Sequence, residues 1–232
     1  MMHSLSEGYR ALVVGASGAI GSALLQHLQS DPRCALALGV SRQSSPGLDL
    51  LNEASIAACA QALAEQGPFH LVLDATGALT VNGRGPEKRL DELDAAHLLA
   101  ALQLNAVGPG LLLKHFVPLL ASGQRVIWGK LSARVGSIED NRKGGWYGYR
   151  AAKSALNMLL QTAAIEVARR RPLAVVAALQ PGTVQSALSQ PFVGDDALHP
   201  EEAAQRLLAV LDTLQPTARA QFVDHQGQSI PW

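Results

Sequence analysis

Ala11-Leu12-Val13-Val14-Gly15-Ala16-Ser17-Gly18-Ala19-Ile20-Gly21-Ser22-Ala23-Leu24-Leu25 is the stretch whose reading decides the fold. An apolar run enters a turn rich in glycine, and the pattern after Gly21 is helical. A strand, a tight turn and a helix start are expected in that order. Glycine permits positive φ and close approach of the backbone to a ligand, and the helix N-terminus offers unpaired N–H groups to an anion. Gly15, Ser17, Gly18, Ala19, Ile20 and Gly21 are therefore expected to cradle the pyrophosphate of a dinucleotide. The glycine spacing is not the G-x-G-x-x-G fingerprint. Glycines that only let the helix pack close to the strand are the alternative.

The same alternation continues outward from this unit. Further short apolar runs lie at Ala35–Val40, Leu71–Leu73, Arg125–Trp128, Leu173–Leu179 and Gln221–Val223. Helical periodicity fills about 19–29, 53–66, 92–121, 148–171 and 200–214 between them. Strands alternating with helices predict an α/β fold of the doubly wound, Rossmann type, a parallel sheet with helices on both faces. No repeat and no Pro-, Gly- or Ser-rich linker divides the sequence, so residues 1–232 are expected to form a single domain. Hydrophobic residues make up 48% but aromatics only 4%, so the core must be built of Ala, Leu and Val.

Charge excludes some functions. Lys and Arg number 19 against 19 Asp and Glu, and Arg169–Arg171 is the only compact basic cluster. It falls near a helix C-terminus, where cations suit the dipole, so no nucleic-acid partner is expected. Cys34 and Cys59 have neither metal nor redox spacing, and the histidines are too scattered to suggest a metal. No signal-peptide pattern precedes the first strand, and the apolar stretches read as too short to span a membrane. A cytoplasmic setting without a membrane partner is the expectation.

In sheets of this type ligands bind beyond the carboxyl ends of the strands. The second run ends at Ser41-Arg42 with no carboxylate at its tip. A carboxylate there would hold ribose hydroxyls, whereas Ser41 and Arg42 suit a ribose phosphate. NADP(H) is favoured and NAD(H) remains possible, with Arg42 as a solvated loop residue.

Tyr149 and Lys153 are four apart in a helical segment, hence one turn apart on one face. A phenol titrates near ~10, and a neighbouring ammonium is expected to lower that value. The pair could exchange a proton with a carbonyl or alcohol oxygen while hydride moves at the adjacent carbon. Lys153 could also hold ribose hydroxyls. Asn105 lies in a helical pattern four residues before Pro109, which has no N–H to donate to the Asn105 carbonyl. A free carbonyl and a local kink are expected there.

Taken in order, these motifs resemble the short-chain dehydrogenase/reductase family. The first turn resembles its T-G-x-x-x-G-x-G element, with Val14 for Thr and Ala19 for the middle Gly. Leu48-Asp49-Leu50 resembles its acidic motif, which implies that Asp49 caps the adenine. Asp74-Ala75-Thr76-Gly77 stands where the family has Asn-Asn-Ala-Gly, with Ala75 and Gly77 making room for the cofactor. The resemblance implies a water relay at Asn105. It also implies a hydroxyl that orients the substrate carbonyl in Leu131-Ser132-Ala133-Arg134-Val135-Gly136-Ser137. The usual serine position is Ala133, which leaves Ser132, with Ser137 second. Pro181-Gly182-Thr183-Val184-Gln185-Ser186 resembles the P-G-x-V-x-T stretch that holds the nicotinamide carboxamide, implying Pro181, Gly182, Val184 and Ser186. Residues 187–199 are the candidate substrate lid. Gly144-Gly145-Trp146-Tyr147 and the segment from Phe222 resemble the branch with C-factor and sniffer-like carbonyl reductases.

The resemblance implies an NAD(P)-dependent carbonyl reductase acting on a small aldehyde, ketone or alcohol, as a homodimer or homotetramer. The alternative, motivated by Ala133 and Ala19, is a dinucleotide-binding signalling or regulatory protein with little turnover.

Overall fold

A computed structural model describes residues 1–185 and 197–232. The strands are β1 (Tyr9–Val14), β2 (Cys34–Val40), β3 (Leu71–Asp74), β4 (Val126–Leu131), β5 (Ala174–Gln180) and β6 (Gln221–Asp224). They form one parallel sheet in the order β2-β1-β3-β4-β5-β6. The helices are α1 (Ala19–Gln29), α2 (Glu53–Leu63), α3 (Ala95–Leu102), α4 (Gly108–Phe116), α5 (Tyr147–Arg170) and α6 (Pro200–Thr213).

Alternation along each strand feeds two separate cores. Leu12, Val14, Val72, Val126 and Trp128 pack with α2, α4 and α5 on one face. Ala11, Val13, Leu71, Leu73 and Ile127 pack with α1 and α6 on the other. Burial on both sides is why these strands read as continuous apolar runs. From β1 the chain turns outward to β2 and then returns to β3 on the other side of β1. Strand order therefore reverses between β1 and β3, and such a switch point opens a crevice at the carboxyl ends.

Two expectations need correction. Strand β4 continues three residues past Trp128, through Gly129, Lys130 and Leu131. A glycine and a lysine read as the end of an apolar run, yet both are interior here. The segment read as 92–121 is a rod of α3, a π-turn over Gln103–Val107, α4 and a final 3-10 turn. Ala95–Leu119 is long and apolar enough by length and composition to cross a membrane, contrary to the sequence reading. Its Leu112, Leu113 and Phe116 are buried in the core shared with the sheet.

Candidate active site

The crevice is a groove of about 510 Å³ whose lining includes Gly15, Ser17 and Gly18 after β1 and Ser41 and Arg42 after β2. Asp49, Ala75 and Gly77 line it as well. Gly15 has φ +85°, and a Cβ on Gly21 would stand 2.2 Å from the Gly15 carbonyl oxygen. Side chains are thus excluded at Gly15 and Gly21, which seats the start of α1 close against the turn. Ala19, Ile20 and Gly21 form the first turn of α1 behind it. Arg42 is exposed and makes no hydrogen bond or ion pair with a described residue. The Asp49 carboxylate accepts the Leu51 N–H at 3.0 Å.

At the other end of Gly77 stand Asn105 and Lys153. A Cβ on Gly77 would lie 3.0 Å from Asn105 Oδ1 and 3.5 Å from Lys153 Nζ. Asn105 sits in the π-turn, where the Gly108 N–H donates to the Gln103 carbonyl five residues back. This irregularity falls where Pro109 interrupts the helical ladder. Its side chain accepts the Ala78 N–H at 3.0 Å and donates to the Ala78 carbonyl at 2.9 Å. Lys153 Nζ donates to the Leu131 carbonyl at 3.1 Å and lies 5.5 Å from the centroid of the Tyr149 ring.

Electrostatics here differ from the sequence expectation. Burial raises the Tyr149 phenol above its ordinary value. The ammonium 5.5 Å from its ring does not reverse this, because desolvation disfavours phenolate. Lys153 is itself lowered to about 7, first by burial and then by the charge of Lys130, with Asp74 opposing. A phenol so raised stays protonated at neutral pH and is a proton donor.

Neither candidate serine hydroxyl is hydrogen-bonded to Tyr149. Ser132 is buried and its hydroxyl donates to Asn157 Oδ1 at 2.6 Å. Asn157 lies about 12 Å further along the helix axis than Tyr149. Ser137 donates to the Trp232 carbonyl at 3.3 Å and accepts the Asp140 N–H at 3.0 Å. Ala133 is extended, so its methyl points opposite to Ser132. The one-residue shift in the motif therefore sends the two side chains opposite ways.

Pro181, Gly182 and Val184 follow β5 at the same end of the sheet. Gly182 has φ +83° and packs against the His225 ring, and Val184 bridges to Leu198. Ser186, and residues 187–196 of the expected lid, lie outside the described residues.

Sequence reasoning missed several polar groups. Asp74 and Lys130 form a buried ion pair at 3.0 Å. Glu87 is buried and accepts the Gly148 N–H, in the first turn of α5, at 2.9 Å. A charge embedded in an apolar run was the available signal for Lys130. Glu87 lies in a loop without a motif and gave none.

Residues 34–222 match the sequence model of a family described as enoyl-(acyl carrier protein) reductase. The chain belongs to the short-chain dehydrogenase/reductase family of oxidoreductases. It is 30% identical over 189 residues to a 1-hydroxy-2-glutathionyl-2-methyl-3-butene dehydrogenase of Rhodococcus sp. (strain AD45), covering 81% of this chain and 79% of that one. The C-signal protein of Myxococcus xanthus is 32% identical over 144 residues, covering 62% of this chain and 83% of its own. Among solved structures, the NADPH-bound carbonyl reductase from chicken fatty liver superposes with a TM-score of 0.84 at 21% identity, covering 99% and 97% of the two chains. That likeness establishes the fold.

Proposed function

We propose that this protein is an NADPH-dependent carbonyl reductase, formed by residues 1–232 as one dinucleotide-binding domain and acting on a small aldehyde or ketone. One observation carries the reading: Asn105 and Lys153 meet at Gly77, beside Tyr149, at the end of a groove that opens on the closed glycine turn. A reduced nicotinamide supplies the hydride when bound. Gly15 to Gly21 hold its pyrophosphate, Ser41 and Arg42 the ribose phosphate, and Asp49 the adenine. Ala75 and Gly77 leave room for the ribose, whose hydroxyls Lys153 binds. Pro181, Gly182, Val184 and Ser186 fix the carboxamide.

Tyr149 gives its proton to the carbonyl oxygen of the substrate, a task suited to a phenol that burial keeps protonated. Lys153 returns a proton to Tyr149 and would regain it from a water held at the Asn105 carbonyl. Neither Ser132 nor Ser137 is assigned the carbonyl, because both hydroxyls are already bonded elsewhere. Exposed Leu99 and Val107 on the rod, with Met158 and Leu159 on α5, support pairing of two copies through these helices. Size-exclusion chromatography with light scattering tests that pairing, and a monomer at all concentrations excludes it. Cys34 and Cys59, both free, support a cytoplasmic setting.

The first test is titration with NADPH and NADH, followed by nucleotide fluorescence. NADPH is expected to bind about tenfold tighter or better, a preference that Arg42→Ala removes. Equal binding overturns the cofactor choice, and no binding overturns the dinucleotide reading. Tyr149→Phe is expected to abolish turnover and leave NADPH binding intact. Retained turnover overturns the mechanism. The methyl of Ala133 favours a second reading, a dinucleotide-binding regulator with little turnover. Absence of carbonyl-dependent NADPH oxidation across a broad substrate screen would select it.

A further inference from the structure

Two charged side chains lie in the sheet interior, and the chemistry proposed above uses neither. Lys130 and Asp74 are each 1% exposed, and the β3–β4 register sets them directly opposite one another. Lys130 Nζ donates to Asp74 Oδ1 at 3.0 Å, to the Thr76 carbonyl at 2.6 Å and to Thr76 Oγ1 at 3.2 Å. Asp74 Oδ1 also accepts the Thr76 N–H at 2.9 Å and the Thr76 hydroxyl at 2.5 Å. Asp74 Oδ2 is buried with no hydrogen-bond partner among the described residues.

A buried ion pair is weak evidence for stability, because well-packed apolar residues often serve as well or better. Its location supplies another reason. Thr76 leads into Gly77, the residue against which both Asn105 and Lys153 are seated. Ala78 follows, with both of its backbone groups bonded to the Asn105 side chain. The ion pair clamps one end of this turn and Asn105 clamps the other. Lys153 lies against the middle, its ammonium bonded to Leu131, the residue next to Lys130.

We propose that Lys130 and Asp74 are positioning residues for the Tyr149–Lys153 site: they hold the turn 76–78 against Lys153 and Asn105, and set two opposite charges beside the Lys153 ammonium. The inference rests on the dinucleotide reading above. The charged and titratable groups around Lys153 are Lys130 from β4, Asp74 from β3 and Tyr149 from its own helix. The π-turn contributes the neutral Asn105, and the loop packed on α5 contributes Gly136.

The test is NADPH titration of the wild type, Lys130→Met and Asp74→Asn from about pH 6 to about pH 9, with melting temperatures in parallel. A cation that binding requires is lost as pH rises through its pKa. Removing Lys130 leaves a negative neighbour and moves the loss of NADPH binding to higher pH. Removing the Asp74 charge leaves two ammonium groups and moves it to lower pH. Each shift is expected to be about half a pH unit or more. Packing alone lowers both melting temperatures and moves neither profile, so shifts in one direction or none overturn the proposal.

If either single variant fails to fold, the variant carrying both substitutions buries no formal charge at the pair. It is expected to fold and to bind NADPH about tenfold more weakly. Affinity equal to that of the wild type overturns the proposal. A wild type that does not bind NADPH overturns the dinucleotide reading and this inference with it. A wild type that binds, with variants that behave identically to it, overturns this inference alone.

Discussion

Ser132 and Ala133 are adjacent in sequence but face opposite ways. Ser132 spends its hydroxyl on Asn157 inside the protein, and the methyl of Ala133 stands where the family resemblance calls for a hydroxyl. A donor aimed at the developing oxyanion is worth far more in the transition state than in the ground state. Ala133→Ser is therefore expected to raise kcat by roughly tenfold or more with little change in NADPH affinity, and steady-state kinetics on any accepted carbonyl checks it. An unchanged kcat would show that the position does not reach the substrate. Legibility at this scale depended on how far apart the partners were. Tyr149 and Lys153 were readable because a spacing of four fixes their relation within one helix, and Pro109 pointed to the irregular turn around Asn105. The serine was not, since a one-residue register choice decides its direction. The Asp74–Lys130 pair was out of reach for a different reason. It exists only because β3 lies beside β4 in a register that no local pattern encodes.

Among the elements, α5 depends on a loop that carried no signal in the sequence. Trp146, at the start of the helix, adopts a left-handed conformation with φ 56°, and its N–H bonds the Glu87 carbonyl. The Glu87 carboxylate accepts the Gly148 N–H, and its second oxygen lies 3.7 Å from His97 Nε2. A carboxylate at a helix N-terminus satisfies an orphan donor and suits the dipole. Tyr149 is the next residue after Gly148, so this anchor also sets where the phenol stands. Glu87→Ala is expected to lower unfolding free energy by about 1–2 kcal/mol and to reduce kcat more than NADPH affinity. Glu87→Gln, which keeps an acceptor, is expected to recover most of both. Denaturant unfolding with parallel kinetics reads the two effects, and a stability loss without any change in kcat would limit Glu87 to a structural role. Element types were legible because apolar runs and helical periods differ in length. The ends of β4 were not, because burial of a lysine requires a partner from another strand.

For the whole molecule, the buried Lys153 makes stability depend on pH in a definite direction. Its pKa falls from 10.5 in the unfolded chain to about 7 in the fold. Between those values the unfolded chain holds a proton that the folded chain lacks, so unfolding free energy rises with pH. Below the lower value both states are charged and the burial penalty is felt in full. Relative to Lys153→Met, the wild type is expected to gain stability on the order of a few kcal/mol across that window. Thermal or denaturant unfolding at neutral and alkaline pH checks it, and a gap independent of pH would mean that the ammonium is not desolvated. The parallel, two-sided architecture was legible from the alternation of runs, but strand order was not, since it arises from how the connections cross. That order has a last consequence. At one side of the sheet β6 is covered by the returning segment around Ser229 and Ile230. At the other, β2 pairs only with β1 among the described residues. Its sequence, Cys34-Ala35-Leu36-Ala37-Leu38-Gly39-Val40, contains no charge and no proline. An uncharged, apolar outer strand is a template for strand addition between molecules. Aggregation of this protein on heating or storage should therefore begin at β2, on the flank away from Tyr149.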